Sequence, residues 1–174
     1  INPSDGVSAK KLLEQAVAME GPCYVRLGRA KVPVFYEDSD QLTLGKGNLV
    51  RDGKDVTIVA TGIMVSEAMA AAEKLKEDGI DARIIDIHTI KPIDEEILIK
   101  AAQETGAIVT AEEHSIIGGL GSAVAEVIVK NCPVKMAMVG QKDTYGESGK
   151  PDELKKKYGM TAEDIEAAVK NLIG

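Results

Sequence analysis

From Lys46 onward the sequence alternates short apolar runs with segments of helical period, and no other feature restricts the possible folds as much. Val56-Thr57-Ile58-Val59-Ala60 is a nearly continuous apolar run, the pattern of a strand covered on both faces. Thr61-Gly62 interrupts it, and Val65, Ala68, Met69, Ala72 and Leu75 then recur at helical spacing until Gly79 stops the helix. Ala82–Ile87 reads as the next strand. Pro92 blocks its continuation, and Asp94 caps a helix reaching Glu104, with Ile93 and Leu98 placed as a hydrophobic staple. Ala107–Ala111 is a further strand, leading through Glu112-Glu113-His114 and Gly118-Gly119-Leu120-Gly121-Ser122 into a helix with Leu120, Ala123, Val124 and Val127 on one face. Val134–Val139 is the last strand. Helices follow over Pro151–Tyr158 and Thr161–Leu172, the second opened by the capping box Thr161-Ala162-Glu163-Asp164. Strands separated by helices of this length pair in parallel through right-handed crossovers, so residues 41–174 are expected to form a three-layer α/β/α sandwich. At its start, Asp52-Gly53 between Gly47–Arg51 and Asp55–Ala60 carries a hairpin signal.

Residues 1–40 do not share this pattern. Val7–Met19 reads as a helix with Ser8 as N-cap, Val7 stapling Leu12, and Leu12, Leu13, Ala16 and Val17 on one face. Gly21-Pro22 ends it, and Cys23–Leu27 is a short β-prone run. A lone helix and strand cannot bury a core, so this part must dock on the main domain or on one that is missing. Val34–Gly45 reads as an acidic linker, with the domain boundary near Asp40. Ile1 opens the chain within the turn-like Ile1-Asn2-Pro3-Ser4-Asp5-Gly6, which points to a cut at a surface loop and to a preceding segment.

Composition narrows the function. A net charge of −7, with 21 basic residues among 28 acidic ones, leaves no basic face for a phosphate backbone, and 3% aromatics without Trp leave no base-stacking platform. Nucleic acid is therefore not an expected partner. No run of about 18 apolar residues and no signal-peptide pattern occurs, so a soluble cytoplasmic protein without membrane association is expected. Cys23 and Cys132 lack any metal or redox spacing and read as buried packing residues.

Few residues are placed to carry chemistry. The Gly118-Gly119-Leu120-Gly121-Ser122 turn offers backbone amides and a helix N-terminus, with His114 nearby, as a candidate anion site. By itself this signal is weak, and close helix–sheet packing is the favoured reading of the glycines. His88 and His114 both fall just past strand ends, where open α/β sheets bind ligands, yet neither has a Ser or Cys nucleophile or metal-ligand spacing beside it, which favours structural roles. Arg26, Arg29 and Lys31 form a small basic cluster suited to a phosphate, or alternatively to ion pairs with Glu37, Asp38 or Asp40. No catalytic residue is identifiable.

Several stretches, in order along nearly the whole chain, resemble transketolase. Gly21-Pro22-Cys23-Tyr24-Val25-Arg26-Leu27-Gly28-Arg29 is similar to the last strand of its pyrimidine-binding domain. His88-Thr89-Ile90-Lys91-Pro92-Ile93-Asp94, Thr110-Ala111-Glu112-Glu113-His114 and the glycine turn resemble the C-terminal domain that transketolases share with deoxyxylulose-phosphate synthases and 2-oxo acid dehydrogenase β subunits. Asp143-Thr144-Tyr145-Gly146-Glu147-Ser148-Gly149, with Tyr145 where the family has Phe, and Lys157–Ile165 resemble transketolase of the short, split type. The resemblance implies a mixed five-stranded sheet whose first strand is antiparallel. It also implies a thiamine-diphosphate enzyme that moves a two-carbon ketol unit between sugar phosphates. The cofactor and its divalent metal would be bound mainly outside this chain, by the N-terminal cofactor-binding and pyrimidine-binding domains of a homodimer, leaving this piece inactive alone. Arg29 matches the arginine that binds substrate phosphate in the family, and Arg26 is a second candidate pointing to the other face.

Overall fold

A computed structural model describes all 174 residues. Its elements are α1 (Gly6–Ala18), β1 (Asn48–Arg51), β2 (Val56–Ala60), α2 (Met64–Glu77), β3 (Ala82–Asp86), α3 (Glu95–Thr105), β4 (Ala107–Ser115), α4 (Leu120–Asn131), β5 (Lys135–Gln141), α5 (Pro151–Lys157) and α6 (Ala162–Ile173). The five strands form one sheet in the order β1-β3-β2-β4-β5. β1 runs antiparallel to β3, and the other neighbours are parallel.

Side-chain alternation along the strands builds the two cores of the sandwich. Val56, Ile58, Ala60, Ile84, Val109 and Ala111 face α2 and α6, whereas Val59, Ile85 and Ile108 face α3 and α4. Ile58, Ile108, Leu75, Leu98 and Ile165 are fully covered, each burial stabilising by roughly 1.5–3 kcal/mol. Helix termini follow the local chemistry. Asp94 Oδ1 accepts the Ile97 N–H at 3.4 Å, Gly106 ends α3 at φ 67°, and Asp164 Oδ2 accepts both the N–H and the hydroxyl of Thr161 at the start of α6.

The Asp52-Gly53 turn does not make a hairpin. It carries the chain past β3, so that β1 pairs with β3 rather than with β2. A Cβ at Gly53 would strike the backbone of Ala82 and lie 2.5 Å from Arg83 N, and the N–H groups of Lys54 and Asp55 both donate to Asp81 O at 3.0 Å. The turn is thus pinned to the start of β3. The β2-α2-β3 crossover sets β3 beside β2 in parallel, and the four-residue β1, with Leu49 exposed, suits the outer edge.

Three further expectations change. Asp5, not Ser8, caps α1: Asp5 Oδ1 accepts Ser8 N–H at 2.8 Å while Ser8 Oγ accepts Asp5 N–H at 2.9 Å, and Val17 lies exposed rather than on the packed face. Residues 23–27 form no strand, because their only backbone partner is Ile1, whose ammonium donates to Tyr24 O and whose carbonyl accepts Arg26 N–H, each at 2.8 Å. Cys23 is exposed, whereas Cys132 is half-buried against the α3/α4 core.

α1 gathers the segment before β1. Leu12, Tyr36 and Leu42 form a small cluster, Lys11 Nζ donates to the carbonyls of Asp38 and Asp40 at 2.6 Å, and Gln15 bonds both Leu42 O and Leu44 N–H. No helix is long and apolar enough to cross a membrane.

Candidate functional site

In this sheet the β2-to-β3 connection moves one way and the β3-to-β4 connection crosses back, so the winding reverses between β2 and β4. Open α/β sheets form a crevice at the carboxyl ends of such a strand pair. A cleft of about 630 Å³ lies there, lined among others by Arg26, Thr61, Lys91, Glu112, His114 and Gly119. Ile1 and Asn2 form part of its wall. Asn2 is wedged in place, its N–H donating to His88 O at 2.7 Å and its carbonyl accepting the Thr61 hydroxyl at 3.4 Å. Gly62 admits it, since a Cβ there would lie 2.6 Å from Asn2 Nδ2.

β4 continues beyond the apolar run to Ser115, and this extension carries Glu112 and His114 to the cleft. The buried Glu112 carboxylate accepts Leu120 N–H at 2.7 Å and Gly121 N–H at 2.8 Å, so the α4 N-terminus already binds an anion, supplied by the chain itself. Burial pushes the Glu112 carboxyl above its usual range, with the two amides, His114 and Arg26 opposing that shift. His114 Nδ1 donates to Ser115 O at 2.9 Å and stands 3.9 Å from Glu112. Gly118 N–H is taken by Ser122 Oγ at 2.9 Å, whose own hydroxyl donates to Ile116 O.

The glycines of the turn divide by role. A Cβ at Gly119 would collide with Glu112 Oε2, so Gly119 makes room for the carboxylate. At Gly121 it would lie 2.8 Å from Met138 Sδ and 2.9 Å from Thr110 Oγ1, a close helix–sheet approach. His114, Gly118, Gly119, Gly121 and Ser122 are therefore brought together, around Glu112.

The basic cluster is not gathered into one place. Arg26 lines the cleft and pairs with Glu113 at 3.7 Å, whereas Arg29 sits in an exposed bend that does not line it. Neither Arg29 nor Lys31 pairs with Glu37, Asp38 or Asp40; Asp38 and Asp40 instead offer their carbonyls to Lys11, and Asp40 Oδ2 accepts Glu37 N–H at 2.8 Å. His88 is fully buried, with Nδ1 2.9 Å from Thr89 Oγ1 and Nε2 3.2 Å from Asn48 Oδ1. Burial lowers its pKa to about 4, which keeps it neutral.

One polar centre escapes sequence reasoning. Asp86 ends β3 in full burial, its Oδ2 accepting the Ser4 hydroxyl and, at 3.1 Å, the Tyr36 phenol, while Oδ1 has no partner. Burial pushes its carboxyl up to about 7. Next to it, Asp5 Oδ2 accepts the N–H groups of Phe35 and Tyr36 at 3.0 and 2.9 Å. Burial pushes Asp5 upward, but the amides of Ser8, Tyr36 and Phe35 and the Ser8 hydroxyl outweigh it and hold the carboxyl below its usual range. The one signal in the sequence is an acidic residue inside the apolar run Ile84-Ile85-Asp86-Ile87.

The family model for the transketolase C-terminal domain matches residues 45–165, from the approach to β1 into α6. The chain belongs to the transketolase C-terminal domain family. Within the transketolases it is 49% identical over 94% of its length to the 6-deoxy-6-sulfo-D-fructose transketolase subunit SqwH of Clostridium sp. (strain MSTE9), covering 51% of that protein. It is 44% identical over 94% of its length to an apulose-4-phosphate transketolase subunit of Phocaeicola vulgatus, covering 52% of it. A solved structure described as a split gene transketolase in an inactive β4 tetramer superposes with a TM-score of 0.95 at 47% identity, over 98% of this chain and 56% of that one. The chain thus spans about half the length of the curated relatives it matches. The mixed sheet with its antiparallel first strand is the architecture that the resemblance to transketolase implies. Arg26 and Arg29 lie before the matched region.

Proposed function

We propose that this chain is the C-terminal component of a transketolase that transfers a two-carbon ketol unit between sugar phosphates with thiamine diphosphate, and that it has no such activity alone. The observation carrying this reading is that similar proteins twice its length are named transketolase subunits, at 44–49% identity. The cofactor's diphosphate and divalent metal do not fit the residues present. No group of three or more His, Cys, Asp or Glu side chains is placed to hold a metal ion, and the carboxylate at the cleft, Glu112, is committed to the α4 amides. Cofactor chemistry accordingly belongs to the cofactor-binding and pyrimidine-binding domains expected as partners in a homodimeric assembly. Residues 1–40 would complete the pyrimidine-binding domain, residues 41–174 forming the C-terminal domain.

On this reading Arg29 binds the substrate phosphate. It is exposed, carries no ion pair within the chain and is free to face a partner domain, whereas Arg26 is the lesser candidate because Glu113 engages it. The experiment combines the chain with a protein carrying the upstream domains and thiamine diphosphate, and measures ketol transfer from a ketose phosphate to an aldose phosphate. Activity is expected only in combination. Arg29→Ala should raise KM for phosphorylated substrate by roughly tenfold or more, as expected on losing a charged hydrogen bond of about 1.5–3 kcal/mol. Activity of the chain alone, or none on combination, would overturn the reading.

A further inference from the structure

Asp86 joins two parts of the molecule that sequence separates. It stands on the central sheet, and both of its hydrogen-bond donors, Ser4 and Tyr36, belong to the segment before β1. Both donors meet on Oδ2, leaving Oδ1 buried and without a partner. A buried carboxylate is stable only when its oxygens are well paired, and here half of the group is not.

No cation compensates. The register partners of Asp86 are Asn48 on β1 and Ala60 on β2, and His88, two residues on, directs its nitrogens to Thr89 and Asn48. The titratable groups that act on it are Tyr36, whose phenol is itself raised by burial and by Asp86, Asp5 and Asp40, and Asp5, another carboxylate. Of the charged groups that act on Asp86 none is cationic; the Ile1 ammonium, at the start of the held segment, acts on His88. Ionisation of Asp86 would place a second negative charge beside Asp5 in a site closed to water.

We propose that Asp86 is a proton-sensitive latch: its protonated carboxyl holds Ser4 and Tyr36 against the sheet, and its ionised form loosens the whole segment before β1. Ionisation strengthens each individual hydrogen bond to Oδ2 but also puts charge on the buried, unpartnered Oδ1, and on the latch reading hydration of Oδ1 is gained by parting Ser4 and Tyr36 from β3. Burial places this titration near neutrality, at about 7. The segment so held includes Arg26 on the cleft wall and the bend bearing Arg29, which makes Asp86 a positioning residue for both. The latch does not depend on the proposed activity.

Its test is hydrogen–deuterium exchange on the full chain and on Asp86→Asn, followed at the amides of Asn2, Phe35 and Tyr36 and corrected for intrinsic exchange, from about pH 5.5 to about pH 8.5. Protection in the unmodified chain should fall by up to about tenfold per pH unit as pH rises from about 5.5 toward 7 and level off above it, because the closed form binds the Asp86 proton more tightly than the open form does. Asp86→Asn, which cannot ionise, should show no such fall. If that variant does not fold, NMR titration of the Asp86 carboxyl carbon in the unmodified chain decides: a midpoint near 7 accompanied by the protection loss sustains the latch. Protection independent of pH, or an Asp86 already ionised at the lower end, would overturn it.

Discussion

Replacing Gly119 by alanine isolates the contact that organises the cleft. The residue has φ −96° and ψ −151°, open to any side chain, so backbone strain contributes nothing and the cost is steric. The new methyl would collide with Glu112 Oε2 and lie 2.7 Å from Ser115 O. Two relaxations are available. Either the α4 N-terminus shifts, an overpacking cost of about 1–3 kcal/mol, or Glu112 withdraws and leaves the Leu120 and Gly121 amides unpaired at about 1–3 kcal/mol each. The cheaper mixture of the two comes to about 3 kcal/mol, which for a chain of 174 residues lowers Tm by about 6–12 °C. In a Glu112→Ala background the colliding oxygen is gone and only the Ser115 carbonyl resists, so the same change should cost about 1 kcal/mol. A double-mutant cycle by urea denaturation should then give a coupling of about 2 kcal/mol. Gly118→Ala is the control: at φ 73° with open space around it, it should cost about 1–2 kcal/mol through the backbone alone and show no coupling to Glu112. Additivity within about 0.5 kcal/mol for the Gly119–Glu112 pair would refute the reasoning.

Leu12→Ala should remove about 2–4 kcal/mol from the small cluster with Tyr36 and Leu42, and limited proteolysis should show cleavage confined to the first 45 residues before the sheet unfolds. His88 is buried in its neutral form with a pKa of about 4, so the unfolded chain binds the proton more readily. Stability contributed by this group is therefore present above about pH 6.5 and lost as pH falls toward 4. His88→Gln should flatten the stability curve over that window, and an NMR titration of the His88 ring with a midpoint above 6 would contradict the assignment.

The sandwich was legible because its signals are local. Asp94, Thr161 and the glycine stops act within one helical turn, and the runs at Val56–Ala60 and Ala107–Ala111 state their burial directly. What failed depended on distant partners. Asp52-Gly53 has the chemistry of a hairpin, but strand order is decided by a crossover that no dipeptide reports. Asp5 outranks Ser8 as the α1 cap because the same carboxylate also receives amides from Phe35 and Tyr36, some 30 residues away. Cys23–Leu27 has strand propensity but no neighbouring strand in this chain to pair with. At the cleft, the residues of the glycine turn were identifiable as a group, whereas the source of their anion was not. Nothing local indicates that the carboxylate of Glu112 turns back onto Leu120 and Gly121 instead of pointing to solvent.

The placement of β3 between β1 and β2 also sets an order of events during synthesis. As the chain leaves the ribosome, β1 appears well before the strand it pairs with, and Ser4 and Tyr36 precede Asp86 by a still longer stretch. Until residues 82–86 emerge, residues 1–50 have no docking site on this sheet, and the small cluster around Leu12 is what they can form among themselves. β3 then supplies the edge for β1 and the carboxyl for Ser4 and Tyr36 together. A nascent chain halted before β3 would therefore present its N-terminal segment unattached, and one halted just after α3 could recruit it in a single closure.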